Sequence, residues 1–306
     1  MQYKTLGRSD LRVSVAGFGC MSLRECAADT ERVIERAIEL GINYFDTADF
    51  YDKGLNEACI GRILQGKREK VILATKVGNE WRADGSGWDW NPKKEYILRA
   101  VEGSLKRLRT DRIDLYQLHG GTMDDPIDET VEAFELLKQQ GKIRYYGLSS
   151  IRPNVIREYI RRSHIVSVMM QYSLADRRPE EACLAMLKKA EIGVLARGVV
   201  AKGLLAGKEA VAYLGHSAKE MESAAMAIKK IAGARAGEVR AVAKRPGSWP
   251  IRWVLDQDAV TSAIVGIRTM EQLEDAAEAV ELRGLSEGEA RDLQTALKVQ
   301  RYEDYR

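Results

Sequence analysis

INYFDTADFY (42–51) and VILATKVG (71–78) decide the fold between them. Each opens on an apolar run of strand length. The first closes on Asp46 and Tyr51, the second on Lys76. NEACIGRILQG (56–66) reads as the helix that joins them. Two later strings repeat the arrangement: DLYQLHGG (114–121) ends on His119, and IRYYGLSS (143–150) on Ser149 and Ser150. Strand–helix alternation of this kind predicts a parallel sheet. In a closed parallel barrel the residues that follow successive strands face one mouth. Asp46, Tyr51, Lys76 and His119 would then converge as a carboxylate, a phenol, an ammonium and an imidazole. That is equipment for proton-coupled carbonyl chemistry.

The rest of the chain extends the repeat. YKTL and LRVS flank a GRSD turn within residues 3–14 and read as an N-terminal β-hairpin at the barrel bottom. VAGFG (15–19) is the first barrel strand, and TERVIERAIELG (30–41) the first helix, with Asp29-Thr30 as its cap and Gly41 as its stop. Asn91-Pro92 signals the helix KKEYILRAVEGSLKRL (93–108), and Arg152-Pro153 opens NVIREYIRRS (154–163). IDETVEAFELLKQQG (127–141), EEACLAMLKKA (180–190) and MEQLEDAAEAVE (270–281) are further helices. IVSVMMQ (165–171), GVLARG (193–198) and VTSAIVG (260–266) are further strands. SEGEARDLQTALKVQ (286–300) is an extra helix outside. Eight repeats in 306 residues predict one α/β domain over residues 1–306, a (β/α)8 TIM barrel with extra helices over or outside it. Residues 202–248 exceed what one connection needs. Their helix-like stretches, residues 217–237 and EVRAVAKR (238–245), are expected to supply the seventh barrel helix and an excursion over the mouth.

Composition excludes several classes of function. A hydrophobic fraction of 45% and a charged fraction of 30% fit a globular chain with a sizeable core. With 48 basic and 45 acidic side chains the charge is nearly balanced, so neither nucleic acid nor a membrane is an expected partner. REYIRR (157–162) and KRP (244–246) read as solvated faces. Cys20, Cys26, Cys59 and Cys183 show no metal spacing. Cys20 and Cys26 are near enough in sequence to meet, but free thiols in a reducing cytosol are the expectation. His119, His164 and His216 are not paired at ligand spacing, so no metal site is expected. The N-terminal residues lack a signal-peptide pattern, and no apolar run reaches the roughly 18 residues of a membrane span, which predicts a cytoplasmic protein.

Each candidate has a structural alternative. Lys76 closes an apolar strand and needs compensation, since an unpaired buried ammonium is costly. Asp46 is the natural partner, and the pair reads as a barrel salt bridge, as catalytic, or with Lys76 as a Schiff-base lysine. Tyr51 lies five residues past Asp46. An ammonium beside a phenol favours the phenolate and makes the phenol a usable general acid. His119, followed by Gly120-Gly121, has its ring open to the cavity, whereas His164 and His216 read as structural. Trp81, Trp88 and Trp90 crowd NEWRADGSGWDWNP (79–92) and, with Met21, Ser22 and Tyr172, are expected to wall a pocket for a carbonyl compound with an apolar or aromatic body.

DTADFY (46–51), ATKVG (74–78) and QLHG (117–120), with GFGCMSL (17–23), GLSS (147–150), MQYSL (170–174), ARGVVAKGLLAG (196–207) and IVGIRTMEQLED (264–275), make the chain resemble the aldo-keto reductase family from about Tyr3 to Leu282. The resemblance implies a barrel that binds NADPH, or NADH, without a Rossmann domain, and no G-x-G-x-x-G follows the first strand. It also implies a catalytic tetrad of Asp46, Tyr51, Lys76 and His119, with Tyr51 protonating the carbonyl oxygen of an aldehyde or ketone as hydride arrives from the nicotinamide. Ser149, Ser150 and Gln171 fall on its carboxamide site. Arg197, Gly198 and Val200 fall along the nicotinamide and pyrophosphate, with Lys202 placed for a phosphate. Gly266, Arg268 and Gln272 fall at the adenosine end, and Gly19, Met21 and Asp46 complete the cofactor contacts. The family commonly has Asn at the positions of Ser150, Met170 and Ala276, and an aromatic residue at that of Arg197. Because members with this tetrad also serve as channel β-subunits, a cofactor-binding redox sensor or regulatory subunit is the alternative function.

Overall fold

The computed structural model describes residues 1–23, 26–235 and 246–306. Strands β1 (Tyr3–Thr5) and β2 (Arg12–Ser14) form the N-terminal antiparallel hairpin. The barrel begins with β3 (Ala16–Gly19), β4 (Tyr44–Asp46) and β5 (Ile72–Val77). A separate antiparallel hairpin follows, β6 (Asn79–Trp81) with β7 (Trp88–Trp90). Then come β8 (Ile113–Leu118), β9 (Ile143–Ser149), β10 (Ser167–Gln171), β11 (Gly193–Arg197) and β12 (Val260–Gly266). Eight parallel strands close in the order β10-β11-β12-β3-β4-β5-β8-β9, a (β/α)8 barrel.

Around it run α1 (Thr30–Glu39), α2 (Leu55–Ile63), α3 (Lys94–Leu108), α4 (Ile127–Gln139), α5 (Pro153–Arg162) and α6 (Cys183–Lys189). They are followed by α7 (Ala218–Ala234), α8 (Ser248–Leu255), α9 (Met270–Glu281) and α10 (Glu287–Thr295). The seventh barrel helix is α8, which packs on β12 and α9; it starts at Ser248, past the stretches expected to supply it. The excursion is α7, closed by a Ser217/Glu220 capping box and packed on α10. The expected EVRAVAKR helix and residues 244–245 of the basic cluster lie outside the described residues. Two local readings need correction. Asp29 makes no capping bond to α1; its carboxylate pairs with Arg32 at 3.2 Å. The helix expected over 180–190 is broken at Ala182 (φ −152°), leaving a short turn and α6.

Side-chain parity explains what reaches the mouth. Tyr44, Ile72, Ala74, Leu115, Met169, Leu195 and Ile264 form one buried cluster with Leu6, Leu11 and Val13 of the hairpin, which fills the barrel from below. Their strand neighbours Phe45, Leu73, Tyr116, Leu118, Met170 and Ala196 belong to a second cluster under the helices. Successive strand residues alternate faces. Asp46, Lys76, Gln117, Gln171 and Arg197 each lie two residues past an inner-cluster residue, so all five rise into the upper layer. At the lower end Gly7 adopts φ +52°, and a Cβ there would stand 2.2 Å from the Val166 carbonyl oxygen. Only glycine permits that close approach.

Cys26 and Cys59 form a disulfide, which corrects the expectation of four free thiols. Cys59 on α2 lies opposite the loop that carries Cys26, with Cα atoms 5.7 Å apart, a separation a disulfide spans. Cys20 instead is buried at the end of β3 and stays free. Among the described residues no helix is long and apolar enough to cross a membrane, and no His, Cys, Asp or Glu group could hold a metal.

Candidate active site

Four expected side chains meet at the ends of β4, β5 and β8. Lys76 is 1% exposed, and its Nζ donates to Asp46 Oδ2 at 2.5 Å, to the Thr47 carbonyl at 2.6 Å and to Tyr51 Oη at 3.2 Å. Asp46 Oδ1 accepts from Gln117 Nε2 at 3.1 Å. Burial opposes the Lys76 charge, but Asp46 and Tyr51 outweigh it and leave the ammonium's pKa raised. Burial likewise pushes the Asp46 carboxyl up, against Lys76 and Gln117. The charged pair is the resting state, because each Asp46 oxygen accepts a proton-bearing nitrogen and the ammonium has three acceptors.

Tyr51 reaches Lys76 through an unusual turn. Asp52 (φ +48°), Lys53 (+54°) and Gly54 (+89°) follow it, all left-handed. Two non-glycine residues in this region store strain, a feature that concentrates at functional sites. Asn56 at the start of α2 holds the base of the turn. It accepts from Thr47 Oγ1 at 2.6 Å and donates to the carbonyls of Cys20 and Leu23 at 2.9 Å each. Within the same turn Asp49 is buried, its Oδ1 unbonded among the described residues, and burial together with the Glu57 charge raises its carboxyl to about 8.

His119 sets its ring edge-on to Tyr51, centroids 5.9 Å apart. Its Nδ1 is buried with no partner among the described residues. Burial, aided by Lys76 and Arg197, lowers its pKa to about 3, so the imidazole is neutral at ordinary pH. Phe50 also stands edge-on to His119, at 6.4 Å.

The three tryptophans divide. Trp81 stacks on Phe50 at 4.7 Å, and Trp88, 47% exposed, meets Phe50 edge-on at 5.4 Å. The expected loop is therefore the β6–β7 hairpin, which carries an aromatic shelf to the mouth. Trp90 is a buttress: it packs under Gly78 and Gly120, and its Nε1 donates to Asp125 at 2.8 Å. Tyr172 does not line the mouth. One residue past Gln171, it has outward parity, is fully buried against Trp253 at 5.3 Å, and gives its hydroxyl to Glu180.

On the opposite side, Gln171 is held at both ends, accepting from Arg197 Nη1 at 2.9 Å and donating to Asp176 at 3.0 Å. Ser149 and Ser150 are buried beside it at the end of β9. Two glycines keep this side clear: a Cβ on Gly198 (φ +72°) would meet the Gln171 side chain at 3.3 Å, and one on Gly266 would meet Ser22 Oγ at 2.6 Å. Gly19 pairs with Gly266 across β3 and β12, and Met21 beyond it is exposed. Val200 leads into a turn where Lys202 is left-handed (φ +58°) with its Nζ 6.0 Å above the Tyr213 ring. At the start of α9 the Gln272 Oε1 accepts from the Arg268 N–H at 2.9 Å, so that end of Gln272 is engaged locally. Ala276 is fully buried. Ser149, Ser150 and the Gln171 amide are hydrogen-bonding groups of the kind a carboxamide needs, Lys202 and Arg268 are cations of the kind phosphates need, and Gly198 and Gly266 add no side-chain bulk.

Gln117, Phe50, Asn56 and Asp49 were absent from the sequence expectations. Gln117 was within reach, since it shares the parity of His119 two residues on.

The Aldo/keto reductase family profile matches residues 17–298. An uncharacterised oxidoreductase of Bacillus subtilis, YqkF, is 48% identical over 315 aligned residues, covering 100% of both chains. Among solved structures, the holo form of the aldo-keto reductase AKR11C1 from Bacillus halodurans is 46% identical with a TM-score of 0.87, covering 100% of this chain and 99% of that one. The glycerol dehydrogenase AKR11B4 from Gluconobacter oxydans is 26% identical with a TM-score of 0.85, covering 96% and 94%.

Proposed function

The chain belongs to the aldo-keto reductase family of NAD(P)H-dependent oxidoreductases, and from that premise we propose that it reduces an aldehyde or ketone with NADPH, using Tyr51 as general acid. The observation that carries this reading is the single ammonium of Lys76, bonded at once to Asp46 and to Tyr51 Oη. A nicotinamide cofactor, when bound, would supply the hydride. Tyr51 gives its proton to the carbonyl oxygen, and Lys76 stabilises the phenolate left behind. Asp46, Gln117 and the Thr47 carbonyl fix the ammonium. His119, neutral down to about pH 3, does not compete as the acid and has one N–H with which to orient the carbonyl. Ser149, Ser150 and Gln171 hold the carboxamide, and Lys202 and Arg268 the phosphates, the latter favouring NADPH over NADH. Trp81 and Trp88, with Phe50, receive the apolar body of the substrate.

Schiff-base chemistry at Lys76 fits poorly. A nucleophilic amine needs a depressed pKa, and this one is raised, buried and bonded to three acceptors. The test is a fluorescence titration with NADPH and NADH, followed by a panel of aldehydes and ketones read at the nicotinamide absorbance. Binding of NADPH and turnover of at least one apolar carbonyl are expected. Absence of binding by either nucleotide would overturn the proposal.

A further inference from the structure

Two of the cations at the strand ends, Lys76 and Arg197, differ in what holds them. Lys76 faces Asp46 at 2.5 Å. Arg197 donates instead to the uncharged Gln171 at 2.9 Å, and among the described residues it forms no ion pair with a carboxylate. Asp176, which accepts from the other end of Gln171, is already committed, because its oxygens accept from Arg178 at 2.8 and 2.7 Å and from Gln171 at 3.0 Å. Arg197 also lies two residues past the inner-cluster residue Leu195 and pairs in register with Gln171, which directs it toward the mouth. Its field extends across that mouth, favouring the charged form of Asp46 and the neutral form of His119. Among the described residues Arg197 therefore brings to the upper layer a positive charge with no carboxylate bound to it, aimed by Gln171.

The consequence rests on the cofactor reading above. A nicotinamide ring is uncharged when reduced and carries a positive charge when oxidised, while the phosphates of the two forms are the same. We propose that Arg197 determines the redox-state preference of the site: its charge disfavours the oxidised nucleotide relative to the reduced one, so the mouth selects NADPH over NADP⁺ and eases release of the oxidised product. The guanidinium is exposed, so water and salt screen the effect. A contribution of roughly 3- to 10-fold to the ratio of the two dissociation constants is expected.

The test measures binding and not turnover. NADPH and NADP⁺ are titrated separately into the wild-type protein, R197Q and R197K, by tryptophan fluorescence at low and high salt. The expected result is that R197Q narrows the NADP⁺/NADPH dissociation-constant ratio by roughly 3- to 10-fold, chiefly by tightening NADP⁺. R197K retains most of the wild-type ratio, and added salt narrows the wild-type ratio toward that of R197Q. An unchanged ratio in R197Q, or equal weakening of both nucleotides, overturns the proposal and leaves Arg197 as a support for Gln171. If the wild-type protein binds neither nucleotide, the cofactor reading falls and this inference with it.

Discussion

At the ends of β4, β5 and β8 a buried ammonium is held by three acceptors, and its carboxylate partner by a second donor. At the ends of β10 and β11 an exposed guanidinium is held through one neutral amide. The first side is over-determined: removing any one contact leaves others in place, and the proposed proton transfer would find its geometry set before a substrate arrives. The second side is adjustable. Its charge acts through space and has no fixed counterion among the described residues. In the proposed reaction, then, the proton donor sits in a rigid, fully bonded frame and the cofactor side in a looser one.

The largest effect expected from breaking this comparison comes from Lys76→Met. It strands Asp46 as a buried, unpaired carboxyl and is expected to cost about 3–5 kcal/mol of stability, with a fall in kcat of about 100-fold or more. Urea unfolding of K76M beside the D46N/K76M double variant checks the cause, since the double variant should recover part of the lost stability.

A smaller effect concerns pH. The Asp49 carboxyl stands at about 8 in the folded chain, above its ordinary 3.8. The native state thus holds a proton that the unfolded chain releases, and its contribution to stability falls as pH rises from 3.8 to 8. His119 works oppositely: lowered to about 3 from 6.5, it stays neutral while the unfolded chain takes up a proton, so stability falls as pH drops from 6.5 toward 3. D49N should therefore gain on the wild-type protein between pH 5 and pH 8, by a few kcal/mol at most, measured as the difference of their urea midpoints. No relative gain would mean that Asp49 is solvated when the protein is folded.

The smallest effect is at the aromatic shelf. Trp88→Ala removes a half-exposed ring and is expected to raise KM for aromatic aldehydes by about 2- to 10-fold, leaving small aliphatic ones nearly unchanged. Trp90→Ala, which removes a buttress, should lower the melting temperature more than it alters substrate choice. Equal kinetics for W88A across the panel would remove the shelf from the substrate site.

The legible part of this molecule is the part that parity and punctuation govern. Alternation along VILATK and INYFD directs Lys76 and Asp46 inward, and the same rule brings in Gln171 and Arg197. It also directs Tyr172 away from the mouth, although a tyrosine next to a site residue invites the opposite reading. What sequence did not disclose depends on packing between distant elements. The Cys26–Cys59 bond requires knowing that α2 lies beside the loop after β3. The β6–β7 hairpin forms from a stretch read as a loop, its strands only three residues long. Asp29 met the compositional preference of a cap but gave its carboxylate to Arg32. The state of His119 needed the burial of its ring and the nearness of two cations.

The central claim is that Tyr51, fixed by Lys76, delivers the proton. Its most direct test is Tyr51→Phe, measured for NADPH affinity by fluorescence and for carbonyl reduction in a single turnover. The account predicts nucleotide affinity within about 3-fold of the wild-type protein and a rate lower by roughly 10²- to 10⁴-fold. Reduction at the wild-type rate by the phenylalanine variant would contradict it.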